Sequence, residues 1–309
     1  MAVSGDQICS FHHACGMAVG EGTMKSGIIS DQVSMDFEEA LHDIHEQFEY
    51  IEIHSLWNKT VEDLSDSEAG KVEALIGKYH VKVSCLSTTL FLMCPLFGDV
   101  ASLKKFSDDF LVFTGDEDEH TERLRRCLEL AGRFGTQYIR IFPFRLERED
   151  SGEFEELLMR MKESLSAALS LAEKEGKTLL LENCPHSYLP RGNMTYELSF
   201  SMGSRNLMLL YDIGNSFTSE RQQLPGRFSS ESLADEYEAI KSRIRHFHFK
   251  DYRKTRRGFR HVAFGAGDID YADLSNRIKQ DNLHAVVSLE PEVGKRDIKK
   301  SISNFLEMM

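Results

Sequence analysis

The sequence lacks an apolar stretch long enough to cross a membrane. Its most apolar segment, Val83 to Phe97, is interrupted by serine, threonine and proline residues, whereas a spanning helix needs about 20 consecutive apolar residues. No positively charged segment followed by an apolar one stands at the N-terminus, so no secretory signal peptide is visible. We therefore expect a soluble protein that does not act in a membrane.

Paired cysteine motifs are also absent. The six cysteines stand at positions 9, 15, 85, 94, 127 and 184, and no two are spaced C-x-x-C, which excludes a zinc ribbon and a thioredoxin-type redox motif. A chain of 309 residues can bury a large core without disulfides. Isolated cysteines in such a chain are typical of buried thiols in a reducing compartment, so we predict a cytoplasmic location.

Positive charge is scarce. The chain has 37 lysine and arginine residues against 50 aspartate and glutamate residues, which gives a net charge of −13. Proteins bind nucleic acids largely by neutralising phosphates with lysine and arginine, so a surface of this sign predicts no nucleic-acid partner. An acidic chain can still hold a small anion in a locally basic pocket.

Short apolar runs alternate with longer segments of helical periodicity. Eight such units of about 39 residues each predict a parallel sheet, and the terminal helix favours a closed (β/α)₈ TIM barrel that forms one domain over residues 1–309. The alternative, a doubly wound sheet, would favour a G-x-G-x-x-G turn, which does not occur. The predicted strands are Ile8–Phe11, Tyr50–His54, Val81–Leu86, Tyr138–Phe142, Thr178–Leu181, Leu207–Asp212, Arg245–Lys250 and Ala285–Glu290.

Acidic and imidazole side chains end four consecutive predicted strands. These residues are Glu182, Asp212, His248 and Glu290, separated by 30, 36 and 42 residues, or about one strand-helix unit each. In this fold the chemistry lies at the carboxyl ends of the strands. Any one of the carboxylates could simply cap the next helix, but three together would repel one another without a cation, or else some would stay protonated. The set predicts a divalent metal, with Mn²⁺ favoured and Mg²⁺, Co²⁺ and Zn²⁺ as alternatives.

Two further side chains share the inward face of the seventh strand. His246 lies two residues before His248, so we expect it one layer deeper, as a hydrogen-bonded core histidine. Lys250 lies two residues after His248, which would place an ammonium group beside the metal, suited to a sugar hydroxyl, an enediolate oxygen or a phosphate. The alternative for Lys250 is a solvated loop lysine.

Other polar and aromatic residues near strand ends are candidates for substrate contact. Arginines that follow apolar residues could hold a phosphate through two hydrogen bonds, although a structural ion pair is the alternative for each. A lone tryptophan could stack on a sugar face or serve in packing. The candidates are Glu52, His54, Trp57, Arg140, Arg145 and Arg191.

Several segments resemble the xylose isomerase-like TIM barrel superfamily, which includes sugar phosphate isomerases and epimerases, ketose 3-epimerases, inosose dehydratases and the AP endonucleases of the endonuclease IV type. The resemblance implies metal ligands at the four strand-end positions already selected, and a homodimer or homotetramer. The segments are YIEIH (50–54), LLLENCP (179–185), LLYDIGNSF (209–217), IRHFHFKDY (244–252), FGAGDIDY (264–271) and VVSLEPE (286–292).

The sequence also departs from that family's pattern. Many relatives have a histidine three residues after the sixth-strand aspartate, where it binds substrate in the epimerases and a further metal in the nucleases. Here the residue is Asn215, which we take as a candidate for substrate contact. Many relatives read E-N-H-P after the fifth strand, where this chain has Cys184, and His186 is either a substitute or a loop residue. The aspartate that partners His261 in the nucleases is Phe259, so a three-metal nuclease cluster would be incomplete.

The resemblance implies a metal-dependent isomerase or epimerase of a small sugar, polyol or sugar phosphate. The ion would chelate a carbonyl and the adjacent hydroxyl, Glu182 and Glu290 would transfer the proton, and Lys250 would stabilise the enediolate. The alternatives are an inosose-type dehydratase and a non-catalytic sugar-binding barrel, with nuclease activity third. The loops at 14–34, 88–116 and 213–230, which would select the substrate, contain no readable motif.

Overall fold

Eight parallel strands close into a barrel in the computed structural model, which describes residues 24–104, 106, 110–147, 153–219, 224–229 and 232–309. Each strand pairs with its neighbours in the chain, and the first pairs with the eighth. The prediction of a (β/α)₈ barrel is therefore confirmed. The strands, β1 to β8, are Lys25–Ile29, Tyr50–Ile53, Lys82–Leu86, Tyr138–Ile141, Thr178–Glu182, Leu207–Asp212, Ile244–Phe249 and Val286–Leu289.

Helices surround the barrel and follow the strands. None of the helices in the described part of the chain is long and apolar enough to cross a membrane. Two antiparallel hairpins, Ser55–Leu56 with Lys59–Thr60 and Asp251–Thr255 with Gly258–Val262, follow β2 and β7. The helices, α1 to α9, are Phe37–Ile44, Asp66–Tyr79, Glu117–Arg133, Phe154–Lys174, Gly192–Met202, Ile213–Thr218, Leu233–Ile240, Tyr271–Asp281 and Lys295–Met308.

The first strand of the barrel is not where the sequence pattern predicts it. Ile8–Phe11 lies outside the described residues, and β1 is formed by Lys25–Ile29, in a segment predicted to be a loop. Its sequence, KSGII, offers only two β-branched apolar residues, so the apolar run is too short to stand out. Gly27 is required there, because a Cβ at this position would come within 2.8 Å of the Ser288 side chain on β8.

The apolar core divides into a large outer part and a small inner part. The large part fills the space between the strands and the surrounding helices. Inside the barrel, Cys85, Leu180 and Leu210 form a separate buried cluster. Because alternate residues of a strand point to the same side, Leu180 and Glu182 share the inward face, as do Leu210 and Asp212. The polar site therefore lies directly above an apolar layer, at the carboxyl end of the strands.

Candidate metal centre

The four side chains predicted as metal ligands meet at the carboxyl end of the barrel. Glu182 and Asp212 are the last residues of β5 and β6, His248 is near the end of β7, and Glu290 directly follows β8. One potential ligand atom from each lies within 4.8 Å of the others. All four residues are buried, so their charges interact in a medium that screens them weakly.

His248 is the centre of this group. Its Nδ1 atom lies 3.2 Å from Glu182 Oε1 and 3.3 Å from Glu290 Oε2. Burial alone would lower the pKa of His248, but Glu52, Glu290 and Glu182 together raise this pKa well above its usual range. In the absence of a bound cation, a protonated His248 thus supplies part of the positive charge that the carboxylates need.

Glu52 lies beneath this group and does not line the cavity above it. Both of its carboxylate oxygens are 3.1 Å from His248 Nε2, Ser87 donates a hydrogen bond to it, and His246 Nε2 is 3.5 Å away. Burial would raise the pKa of Glu52, but the two histidines hold it well below its usual range. The sequence pattern suggests a substrate contact for Glu52, whereas its observed position is that of a residue that orients His248. His246 lies one layer deeper, near Ser84.

Arg140 crosses the barrel from β4. Its Nη1 atom lies 3.1 Å from Glu182 Oε2 and 3.8 Å from Glu290 Oε1, while Nε and Nη2 donate to the carbonyl oxygens of Thr88 and Ser87. Burial would lower its pKa, but the carboxylates raise it. Arg140 is therefore a permanently charged, fully engaged cation at the floor of the cavity.

Lys250 stands on the opposite side of the ligands. Its Nζ atom lies 2.8 Å from Asp212 Oδ2, 2.9 Å from Glu290 Oε2 and 3.5 Å from Glu292 Oε1. Burial would lower the pKa of Lys250, but these carboxylates raise it well above its usual range. Lys250 is a buried member of the site, and the alternative of a solvated loop lysine is wrong.

The donor set fits a divalent cation. Glu182 Oε2 and Asp212 Oδ2 are buried, and the groups beside them are cationic: Arg140 Nη1 at 3.1 Å and Lys250 Nζ at 2.8 Å. Burial is the main reason that the pKa of Asp212 is raised, to about 8, despite Lys250. Three buried carboxylates and one imidazole that converge in this way suit Mn²⁺, Mg²⁺ or Zn²⁺.

Two asparagines hold the ends of β5 and β6 together. The side chain of Asn183 accepts a hydrogen bond from the Asp212 backbone N–H and donates to the Asp212 carbonyl oxygen. Asn215 donates from its side chain to the Asn183 carbonyl oxygen and from its backbone N–H to Asp212 Oδ1. Asn215 also lines the cavity. The sequence analysis did not predict the Asn183 contacts. The only signal for them is that Asn183 directly follows Glu182 at the end of a strand.

A cavity of about 900 Å³ opens above the ligands. His54 and His186 line it; His54 Nδ1 lies 2.8 Å from Asp31 Oδ2, and His186 packs edge-on against Phe106. Burial lowers the pKa of His186. The apolar part of the wall includes Ile29, Met35, Leu92, Phe106, Phe110, Leu111, Phe142, Cys184, Pro185 and Val293.

Three candidates for substrate contact lie elsewhere. Arg145 donates to the carbonyl oxygens of His186 and Lys104 and is not part of the cavity wall. Arg191 forms a buried ion pair with Glu236, so the structural alternative is correct for it. Trp57 packs edge-on against Phe37, outside this cavity. A position near the end of a strand is therefore not enough to distinguish arginines that line the cavity from arginines that form structural contacts between loops.

Glu292 and His261 line the cavity but were not among the substrate contacts predicted from the sequence. Glu292 lies two residues after Glu290, and His261 returns over the cavity on the hairpin that follows β7. His261 Nδ1 is 3.1 Å from Glu292 Oε2. The repeated glutamate in Glu290-Pro-Glu292 is the one sequence signal that could have indicated the first of them.

Comparisons with known proteins agree with this architecture. Among solved structures, a D-tagatose 3-epimerase-like protein aligns with a TM-score of 0.69 at 20% identity, over 92% of this chain and 97% of that chain. A probable 3-DHS dehydratase, AsbF, from Bacillus anthracis aligns with a TM-score of 0.64 at 17% identity, over 91% and 98%. An IOLI protein with a bound zinc atom aligns with a TM-score of 0.66 at 17% identity, over 92% and 98%.

At these identities the structural likeness shows the fold alone. No curated protein sequence matches the chain significantly. The model of one protein family, the xylose isomerase-like TIM barrel, matches residues 42–308. With nearly the whole chain matched and a closed eight-stranded barrel observed, this protein belongs to the xylose isomerase-like TIM barrel family.

Proposed function

We propose that this protein is a metal-dependent isomerase or epimerase of a small sugar, polyol or sugar phosphate. The observation that carries the proposal is the convergence of two buried glutamates, Glu182 and Glu290, on His248 Nδ1 at the floor of a large cavity. The epimerase-like name of one structural neighbour and the zinc in another are consistent with this chemistry.

Glu182, Asp212, His248 and Glu290 would hold the ion. When bound, it would polarise a carbonyl group and acidify the adjacent C–H bond. Glu182 and Glu290 come from strands that are separated by β6 and β7 in the barrel, so one can take the proton while the other returns it. Lys250 would donate a hydrogen bond to the substrate oxygen that gains negative charge.

A dehydratase is the second candidate, favoured by the likeness to AsbF. It would use the same base to remove a proton, followed by loss of a hydroxyl group as water. Both reactions begin with proton abstraction beside a carbonyl, so the product distinguishes them.

The test is proton exchange with solvent. The purified protein, loaded with Mn²⁺, is incubated in D₂O with a panel of ketoses and inososes, and products are followed by NMR and mass spectrometry. We expect deuterium to enter the carbon beside the carbonyl, with an isomer as product, and no reaction after treatment with EDTA. Loss of water would favour the dehydratase, whereas no exchange in any compound with metal bound would contradict both and favour a non-catalytic sugar-binding barrel.

A further inference from the structure

Glu292 is a cavity carboxylate that is not one of the four potential metal ligands. Its side chain is about one third exposed and stands between Lys250 Nζ, at 3.5 Å, and His261 Nδ1, at 3.1 Å. Its backbone has a φ of 46°, in the left-handed region that is uncommon for a residue other than glycine. The Glu292 N–H donates to Gln32 Oε1, which holds this conformation and keeps the carboxylate over the cavity.

The second residue of this pair is His261, which also contacts a neighbouring side chain. His261 lies on the hairpin after β7, directly opposite Tyr252, and the two rings are in contact with centroids 4.3 Å apart. Both residues line the cavity. The hairpin thus carries an imidazole back to the cavity.

The charges of the cavity wall do not favour a phosphate group. Among the described residues that line it, Arg140 and Lys250 are the arginine and lysine side chains, and each is already engaged with carboxylates. The acidic side chains are more numerous: Asp31, Glu182, Glu290 and Glu292. The two positive charges of a divalent ion would be balanced by the carboxylates that bind it. If the ion takes Asp212 and Glu290, Glu292 remains as the carboxylate within reach of Lys250.

We infer that Glu292 and His261 bind hydroxyl groups of an uncharged sugar or polyol and that Glu292 excludes the phosphorylated form. The inference rests on the proposed function and narrows its substrate class. A carboxylate accepts hydrogen bonds from hydroxyl groups, and an imidazole nitrogen can donate or accept. A phosphate ester placed at the same point would meet a like charge, and the lysine and the arginine among the described residues of the cavity wall are already paired.

The test is a comparison of binding for matched pairs of ligands. Isothermal titration of the protein in the presence of Mn²⁺ would use D-fructose against its 6-phosphate and D-xylulose against its 5-phosphate. We expect the unphosphorylated sugar of at least one pair to bind about tenfold more tightly or better, because the phosphate meets Glu292. Glu292→Gln should reduce this preference several-fold, and His261→Ala should weaken binding of the neutral sugar. Glu122→Gln, which removes one charge from an exposed helix position, should change neither.

Tighter binding of the phosphate in both pairs, or a preference that Glu292→Gln leaves unchanged in a variant that melts like the wild type, would overturn the inference. Failure of all these sugars to bind would overturn it as well. The outcome is separable from the proposed function. If binding is selective and responds to Glu292→Gln but no deuterium exchange occurs, the proposed function is wrong and the inference stands. If exchange occurs and the phosphorylated sugar binds more tightly, the proposed function stands and the inference is wrong.

Discussion

The imidazole of His248 is held by Glu52, whose two carboxylate oxygens lie 3.1 Å from Nε2. A histidine that binds a metal through one nitrogen almost always bonds a carboxylate, a carbonyl or water through the other, which fixes its tautomer and the direction of the ring. Here this arrangement leaves Nδ1 facing Glu182 and Glu290. Glu52 is therefore a positioning residue at a site that it does not itself line.

The first prediction concerns this contact. Glu52→Gln keeps the size of the side chain but removes its charge, so His248 loses its main orienting partner. We expect the affinity for Mn²⁺ to fall by about 10–100-fold, the usual effect of losing such a partner, as measured by titration calorimetry. Glu62→Gln is the matched control, because Glu62 is also buried but bonds Thr89 away from the site. Equal Mn²⁺ affinity in the wild type and Glu52→Gln would show that Glu52 does not orient the ligand.

A second prediction concerns Lys250, whose ammonium group lies within 3.5 Å of three carboxylates. Lys250→Met leaves these carboxylates without their cation, and breaking a buried pair from one side costs about 3–5 kcal/mol. We expect a lower melting temperature without metal and a larger increase on addition of Mn²⁺ than in the wild type, because the ion replaces the lost charge.

Lys241→Met provides the comparison for that experiment. Lys241 also contacts two carboxylates, those of Glu238 and Asp281, but at the surface, where such pairs contribute about 0–1 kcal/mol. Its response to Mn²⁺ should match the wild type. If Lys250→Met also responds like the wild type, then Lys250 and the ion do not compete for the same carboxylates.

The sequence pattern was sufficient to identify the four potential metal ligands, because burying an ionisable side chain has a high energetic cost. A glutamate after three leucines, as at Glu182, is improbable unless something pairs with it, and the same reasoning selected Asp212, His248 and Glu290. The fold followed from strand-helix periodicity, except at β1, where Ser26 and Gly27 interrupt the apolar run. Such strands are identified by their neighbours in the barrel and not by their own composition.

Contacts that depend on three-dimensional neighbours could not be predicted in this way. Glu52 and His54 are two residues apart in the sequence, yet one lies below the ligands and the other lines the cavity. Arg140 and Arg145 also have similar positions relative to their strand in the sequence, but Arg145 donates its hydrogen bonds to loop carbonyl oxygens. His261 reaches the cavity only because a hairpin turns it back.

A third prediction concerns stability at low pH. It involves His120, which is fully buried and does not line the cavity of the candidate site. Its Nδ1 atom accepts a hydrogen bond from the Phe91 N–H, and its ring packs between Phe91 and Phe113. Burial lowers the pKa of His120 to about 4. Because this pKa is below the unfolded value of about 6.5, the stability that neutral His120 contributes is complete above that value and is lost as the pH falls toward 4.

Between pH 6.5 and pH 4, the protonation of His120 lowers the free energy of unfolding by about 3 kcal/mol. Urea unfolding at neutral pH and near pH 4 should therefore show a smaller decrease in the free energy of unfolding for His120→Gln than for the wild type, although the variant is less stable at neutral pH. His284→Gln, at an exposed position, should retain the wild-type decrease. An undiminished decrease in His120→Gln would mean that other groups account for the acid sensitivity.

The last prediction assigns the two bases. Glu182 and Glu290 both approach His248 Nδ1, so replacing either could act through loss of the ion or through loss of proton transfer. Glu→Gln keeps the size and one ligand oxygen while removing the base. We expect Glu182→Gln and Glu290→Gln to retain Mn²⁺, as measured by metal analysis, and to lose about 10²–10⁴-fold in turnover, the usual contribution of a positioned acid or base.

An epimerase that uses one base for each face of the substrate makes a sharper demand on these variants. Each single replacement should stop overall turnover, yet one of the two proteins should still exchange the substrate C–H with D₂O, because the remaining glutamate can remove and return the proton from its own face. Glu62→Gln should behave as the wild type in both assays, since Glu62 bonds Thr89 outside the cavity. Near-normal turnover with metal bound in either variant would mean that another group takes the proton. Lys250 and His186, which also line the cavity, would then be replaced next.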